Sequence, residues 1–155
     1  MEYIKKGYQG PDCLFCTLIA MEDSSENLIL YRGERAFVVL NRYPYTNGHT
    51  MVVPFDHHPS LIGLDQETLH EMIRLTQRGL EILREAYAAD GFNLGGNIGE
   101  AAGAGVEDHV HLHLVPRWQG DTNFMATTAN TRVIPESLEE TYTLLRKLWS
   151  TPRQA

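Results

Sequence analysis

The run His109-Val110-His111-Leu112-His113, followed by Leu114 and Val115, alternates histidine with apolar residues. Extended residues two apart point the same way, roughly 6.6–6.8 Å from each other. The spacing therefore predicts a strand over 109–115 with three imidazoles on one face and Val110, Leu112 and Leu114 on the other. The apolar face can pack on a core, which directs the histidines into a cleft, because burying them without partners is costly. Imidazole changes charge near neutral pH, so such a row suits proton transfer, nucleophilic attack or metal ligation. A His-x-His pair can share one zinc ion, but the outer two would lie more than about 12 Å apart, too far for a single three-histidine site. One outer histidine remains available as a ligand.

Two further motifs accompany the row. Cys13 and Cys16 are the only cysteines and stand as Cys-x-x-Cys, a spacing that points to metal or redox chemistry rather than to a structural disulfide. Gly99-Glu100-Ala101-Ala102-Gly103-Ala104-Gly105 runs up to the histidine strand. Its small residues either form a plain connection or bring backbone N–H groups of Gly103, Ala104 and Gly105 close to an anion. Beside three histidines the anion site is favoured, and Asn97 can add a side-chain amide to the same phosphate.

Composition narrows the function classes. With 20 acidic against 13 basic residues the chain carries a formal charge of −7, and it has no Lys/Arg cluster. That argues against a nucleic-acid backbone as ligand, which needs a basic stripe; a single nucleotide phosphate needs only a few local donors. No apolar stretch approaches the roughly 20 residues that span a bilayer. Residues 1–6 lack an apolar segment of the kind that directs secretion, so the expected compartment is the cytoplasm.

The elements that must position these motifs follow from periodicity. Residues 1–12 read as an irregular arm punctuated by Gly7, Gly10 and Pro11. A helix is predicted from Cys13 to about Met21, then strands over 28–31 and 36–40, a loop over 41–48, and a strand over 49–54. Apolar residues Leu69, Met72, Ile73, Leu80, Leu83 and Ala86 predict a long helix over 65–87, with Asp65 and Glu67 suited to its N-terminus. A strand over 92–97, a loop over 98–108 and the histidine strand precede a final helix over 135–149, on which Leu145, Leu148 and Trp149 read as packing. Glu136, Glu139 and Glu140 read as its solvated face, and 125–131 carries no readable chemistry. With no repeat and no linker, residues 1–155 form one α+β domain, an antiparallel sheet with a long helix packed on it.

The segment 109–115 resembles the signature of the histidine-triad (HIT) family. Phe37-Val38-Val39-Leu40-Asn41, Gly48-His49-Thr50-Met51-Val52-Val53-Pro54 and the Asn97-to-Gly105 loop fall where that family has its nucleotide-binding segments, so the likeness covers about residues 13 to 120. Pro116-Arg117-Trp118, Gly120-Asp121-x-Asn123-Phe124 and the C-terminal helix are most similar to the bacterial diadenosine-polyphosphate (Ap4A) phosphorylase branch. The resemblance implies a sheet of about five strands, a two-fold homodimer, and cleavage of a nucleoside 5′-phosphoryl bond. Dinucleoside polyphosphates and nucleoside phosphoramidates are both open as substrates, and hydrolysis and phosphorolysis as outcomes. A catalytic-zinc hydrolase and a non-catalytic nucleotide sensor are the rival readings.

By the same resemblance, His111 is the nucleophile, His113 contacts phosphate oxygens or protonates the leaving group, and His49 borders the same phosphate site. Asn41 would hold the ribose hydroxyls, and Phe15, Leu18 and Val39 would enclose the base. Trp118 either stacks near the base or leaving group or anchors a subunit contact. Relatives often place Ser or Gln where this chain has Ala104-Gly105-Val106, which leaves backbone donors for that task. Many bacterial relatives join a cysteine pair to a downstream histidine and the first triad histidine; here those are Cys13, Cys16, His57 and His109, with His58 competing for the third position. Such a Cys₂His₂ set would hold a structural zinc and take His109 out of the catalytic row.

Overall fold

The computed structural model describes residues 13–121 and 136–152. The expected arm at 1–12, the segment 125–131, Asn123, Phe124 and the first residue of the expected final helix lie outside them. The described elements are α1 (Leu14–Ala20), β1 (Ile29–Arg32), β2 (Ala36–Leu40), β3 (Thr50–Pro54), α2 (Gln66–Tyr87), β4 (Gly91–Gly95), β5 (Leu112–Arg117) and α3 (Leu138–Ser150), with short 3₁₀ turns at Leu61–Gly63 and Glu100–Ala102. The five strands form one antiparallel sheet in the order β1-β2-β3-β5-β4. This is the expected α+β arrangement.

Strands β2 and β3 are buried throughout and fill the middle of the core. Helix α2 starts at Asp65, whose carboxylate accepts the Thr68 N–H at 2.7 Å, a cap that pairs one of the otherwise unbonded N-terminal amides. It ends at Ala88 in the left-handed conformation. The face it buries carries Met72, Leu75, Gly79, Ile82 and Leu83, whereas Ile73 is 59% exposed. The three-and-four periodicity thus located the helix but assigned Ile73 to the wrong side of it. Helix α3 opens with a full capping box between Ser137 and Glu140 and buries Leu145 and Trp149. Glu136 departs from the expected solvated face. Its carboxylate accepts from the Tyr87 and Thr141 hydroxyls at 2.6 Å each and ties α3 to α2.

The histidine strand is displaced from its expected span. Pairing with β3 begins only at Leu112, opposite Val52, and β5 runs on to Arg117, so His109, Val110 and His111 precede the ladder. The Val110 N–H donates instead to the His58 carbonyl at 2.7 Å. Alternation within β5 then sets the faces. Leu114 packs toward α2, where a Cβ on Gly79 would meet its Cδ2 at 2.8 Å; His113 therefore points to the opposite face.

Candidate functional site

His113 lies in the sheet between Met51 of β3 and Gly95 of β4. His49 immediately precedes β3 and, by the same alternation, shares the His113 face. Gly48 makes this possible. Its φ is +76°, and a Cβ there would meet the Tyr87 ring at 2.7 Å and Leu83 at 2.9 Å, so only glycine lets the loop pass this close to α2. The loop is further pinned by the Thr46 hydroxyl, which donates to the Pro116 carbonyl at 2.9 Å.

Hydrogen bonds define the ring tautomers. The Tyr45 backbone N–H donates to His49 Nδ1 at 3.1 Å, so that nitrogen carries a lone pair and Nε2 carries the proton. His49 Nε2–H then donates to His113 Nδ1 at 2.9 Å, which leaves the His113 proton on Nε2. His111 is oriented the opposite way. Its Nδ1–H donates to the His109 carbonyl at 2.9 Å, so Nε2 presents an unshared pair. The His111 and His113 rings meet edge to face at 4.8 Å. One neutral imidazole thus offers a lone pair beside another that offers an N–H. Burial holds both in the neutral form: it pushes the His111 pKa below the ordinary histidine value against the opposing pull of the His109 carbonyl. For His113, burial and then the nearby His111 lower it to about 4.

Tyr45 was not legible as part of the site. Besides its backbone bond, its ring packs on His49 at 4.5 Å and lies within 17° of parallel to His113 at 6.3 Å. The only trace in the sequence is an aromatic residue in a Pro/Asn/Gly turn four residues before a histidine.

The third histidine belongs to a second constellation. His109 is fully buried, and its Nε2–H donates to the Pro54 carbonyl at 2.9 Å, which aims the Nδ1 lone pair at Cys13 Sγ (3.3 Å) and Cys16 Sγ (3.8 Å). His57 Nδ1 lies 3.4 Å from Cys16 Sγ. The four donor atoms fall within 4.8 Å of one another. Zinc bonds of about 2.3 Å to sulfur and 2.05 Å to nitrogen place tetrahedral donors roughly 3.3–3.8 Å apart; the three cysteine–histidine distances fall in that range, while the full set spreads to 4.8 Å. The carbonyl behind His109 is the outer hydrogen bond that metal-bound imidazoles usually carry. His58 turns its Nδ1 to the Ser60 backbone, whereas His57 is the one placed to bind a metal with the cysteines and His109.

The remaining expected positions are placed as follows. Phe15 and Val39 are each 1% exposed, so in this arrangement neither presents an open face; Phe15 instead fills the space beside His109 and His111, at ring distances of 5.3 and 5.0 Å. Leu18 is half-buried against the same core. Asn41 Oδ1 accepts the Tyr43 N–H at 2.9 Å. The glycine-rich loop is a closed turn. The Gly103 and Ala104 amides bond to Glu100 and Gly99 carbonyls, and the Asn97 side chain donates to the Gly103 carbonyl at 3.2 Å, so these donors are turned inward; exposed Gly105 follows. Gly96 packs its backbone on His111, where a Cβ would lie 2.6 Å from the carbonyl oxygen. Trp118 donates its indole N–H to the Tyr87 carbonyl at 3.1 Å and so closes the end of α2.

A family model for the HIT domain matches residues 22–120. The chain belongs to the histidine-triad family. It is 37% identical over 134 residues to a Mycobacterium tuberculosis H37Rv protein named AP-4-A phosphorylase, a match covering 86% of this chain and 69% of that protein. The crystal structure of a Zn-bound histidine triad family protein from Mycobacterium smegmatis superposes with a TM-score of 0.72 at 33% identity, covering 90% of this chain and 94% of that one. A hypothetical histidine triad nucleotide-binding protein from Sulfolobus tokodaii strain7 superposes with a TM-score of 0.67 at 32% identity, over 88% and 89% of the two chains. In this histidine-triad chain the triad is divided in space, with His111 and His113 on one side and His109 in the four-donor cluster. Among the described residues no helix is long and apolar enough to cross a membrane.

Proposed function

We propose that this chain cleaves a nucleoside 5′-phosphoryl bond by covalent catalysis through His111, acting on dinucleoside polyphosphates such as diadenosine tetraphosphate. The observation that carries the reading is the opposed pair of tautomers, a lone pair on His111 Nε2 beside an N–H on His113 Nε2. In the first step His111 Nε2 forms a bond to the α-phosphorus while the bond to the bridging oxygen breaks; the departing polyphosphate carries off the electron pair as an anion, and the His113 Nε2–H hydrogen-bonds its oxygen and stabilises that charge. His113 Nδ1 stays paired with His49 throughout. Water or inorganic phosphate then attacks the α-phosphorus, the N–P bond breaks with its electron pair returning to His111 Nε2, and the proton lost by an attacking water passes to solvent.

The substrate class rests on the relative named AP-4-A phosphorylase. Asn41 would reach the ribose; Phe15, Leu18, Val39 and Trp118 would border the nucleoside; Asn97, Gly103, Ala104 and Gly105 would face phosphate, after the loop amides now bonded internally have turned outward. The Cys13, Cys16, His57 and His109 donors would hold a zinc ion that supplies fold stability at the base of α1. The edge strand β4, with Leu94 51% exposed, is the surface on which a second copy would form a homodimer. The reduced-thiol donor set suits a cytoplasmic setting.

The test is incubation of the protein with diadenosine tetraphosphate, with and without inorganic phosphate, and mass analysis of the products. ADP formed only with phosphate indicates a phosphorylase, and AMP with ATP independent of phosphate indicates a hydrolase. Turnover that survives His111→Ala would overturn the mechanism, and absence of turnover on this substrate but not on nucleoside phosphoramidates would move the substrate class.

A further inference from the structure

The nucleophile's tautomer depends on one peptide carbonyl, that of His109, and that carbonyl lies beyond the end of the sheet. The last β3–β5 pair is Val52 with Leu112, so no strand ladder fixes the backbone of 109–111. What holds it is a separate set of contacts. The His109 ring is gripped at both nitrogens, by the Cys13 and Cys16 sulfurs on one side and the Pro54 carbonyl on the other. The next amide, of Val110, donates to the His58 carbonyl at 2.7 Å, directly after the ligand His57. A second line of contact runs through Phe15, which sits between the two cysteines in the sequence and lies against both the His109 and the His111 rings.

We propose that His109 is a positioning residue for catalysis: its ring belongs to the four-donor cluster while its carbonyl selects the reactive tautomer of His111, so that metal occupancy sets the state of the nucleophile. A neutral imidazole has two tautomers, and only the one with the proton on Nδ1 leaves a lone pair on Nε2 for attack. When Cys13, Cys16 and His57 hold His109 in place, the carbonyl stays 2.9 Å from His111 Nδ1. With the cluster dispersed, the His109 ring loses its hold on the two sulfurs and keeps only the Pro54 carbonyl, the 109–111 backbone is less tightly fixed, and both His111 tautomers become accessible. Coupling between two sites is reciprocal, so the state of His111 must also be felt at the cluster. The catalytic consequence rests on the reading of His111 as nucleophile, whereas the coupling itself rests on the contacts alone.

Imidazole ¹⁵N resonances of the full chain, labelled at histidine, test this directly in zinc-loaded protein and after removal of the metal by a chelator, with circular dichroism verifying that the fold persists. The expected result is a single Nδ1–H tautomer for His111 in the loaded protein and a mixture after stripping, while His113 keeps its proton on Nε2. An unchanged His111 tautomer in stripped, folded protein overturns the proposal. Should stripping unfold the chain, cobalt(II) takes the place of zinc, and the visible bands of the native chain are compared with those of His111→Gln. A shift in the bands supports the coupling, and identical spectra overturn it. Failure to turn over any nucleotide would sink the proposed reaction without touching either spectroscopic result.

Discussion

His49 Nε2 and His113 Nδ1 lie 2.9 Å apart, although 64 positions separate them in the chain. The pair forms because β3 and β5 are neighbours and because Gly48 lets the loop before β3 pass close over α2. Its chemical effect is directional: His49 fills Nδ1 of His113 and so keeps the His113 proton on Nε2.

Truncating His49 should therefore act on catalysis through His113. In His49→Ala, His113 Nδ1 loses its donor and the Tyr45 N–H loses its acceptor. Removing one preorganised donor to a developing oxyanion costs roughly 10²–10³-fold, and kcat should fall toward that range with KM changed much less. Because the two imidazoles act as one unit, His49→Ala with His113→Ala should cost little more than the worse single variant. A double-mutant cycle in steady-state kinetics checks this, and additive losses would refute the shared role.

The pH profile should extend to unusually low pH for a histidine enzyme. Protonation of His113 places a second N–H against the His49 donor and breaks the pair, but burial holds the His113 pKa at about 4 rather than 6.5. The acid limb of kcat/KM should accordingly lie well below the ordinary histidine range. The sign for stability follows from linkage. In the unfolded chain His113 binds a proton below about 6.5, and in the folded chain only near 4, so between these values the unfolded state takes up more protons. Unfolding free energy should fall as pH drops through that window, and less steeply in His113→Asn. An acid limb at pH 6 or above would contradict the assigned environment.

The sequence carried the three-histidine motif and most element positions, but not the division of labour within the motif as geometry. Alternation alone put His109, His111 and His113 on one strand face. The structure starts β5 at Leu112, because the Val110 amide bonds to His58 and the His109 ring is drawn to the cysteines, contacts spanning some fifty to a hundred positions of chain. Local periodicity contains no trace of such partners. His49 and Tyr45 illustrate the same limit. Each residue sits in a readable strand start or turn, yet the His49 bond and the Tyr45 ring contact that join them to His113 are products of strand order. The inward-turned glycine-rich loop was unreadable for another reason, since its small residues are compatible with both an open anion nest and the closed turn that forms.

If the metal is held only by Cys13, Cys16, His57 and His109, it never meets substrate. A closed tetrahedral set leaves no position for a water or a phosphate oxygen, which separates this arrangement from a catalytic-zinc hydrolase. Protein purified without chelator should contain one zinc per chain, and Cys16→Ser should lose it together with several degrees of Tm. Replacing zinc by cadmium or cobalt(II) should leave kcat close to that of the zinc form. A rate that tracks the Lewis acidity of the metal ion would place the ion at the reacting phosphate.

The β1–β2 turn offers a test of stability away from the histidines. The Glu71 side chain on α2, 8% exposed, accepts the backbone N–H groups of Glu34, Arg35 and Ala36, and the absence of a side chain at Gly33 makes room for it, since a Cβ there would lie 2.7 Å from Oε1. One carboxylate thus satisfies three successive amides where the β1–β2 turn enters β2. Buried amides left unpaired cost about 1–3 kcal/mol. Glu71→Leu, which fills the space but accepts nothing, should lower the unfolding free energy by about 2–4 kcal/mol. Glu71→Gln keeps one acceptor oxygen but turns an NH₂ toward the remaining donors, so it should fall between leucine and the native residue. Urea unfolding of the three proteins gives the order, and a leucine variant as stable as the native chain would show that water, rather than Glu71, satisfies the turn.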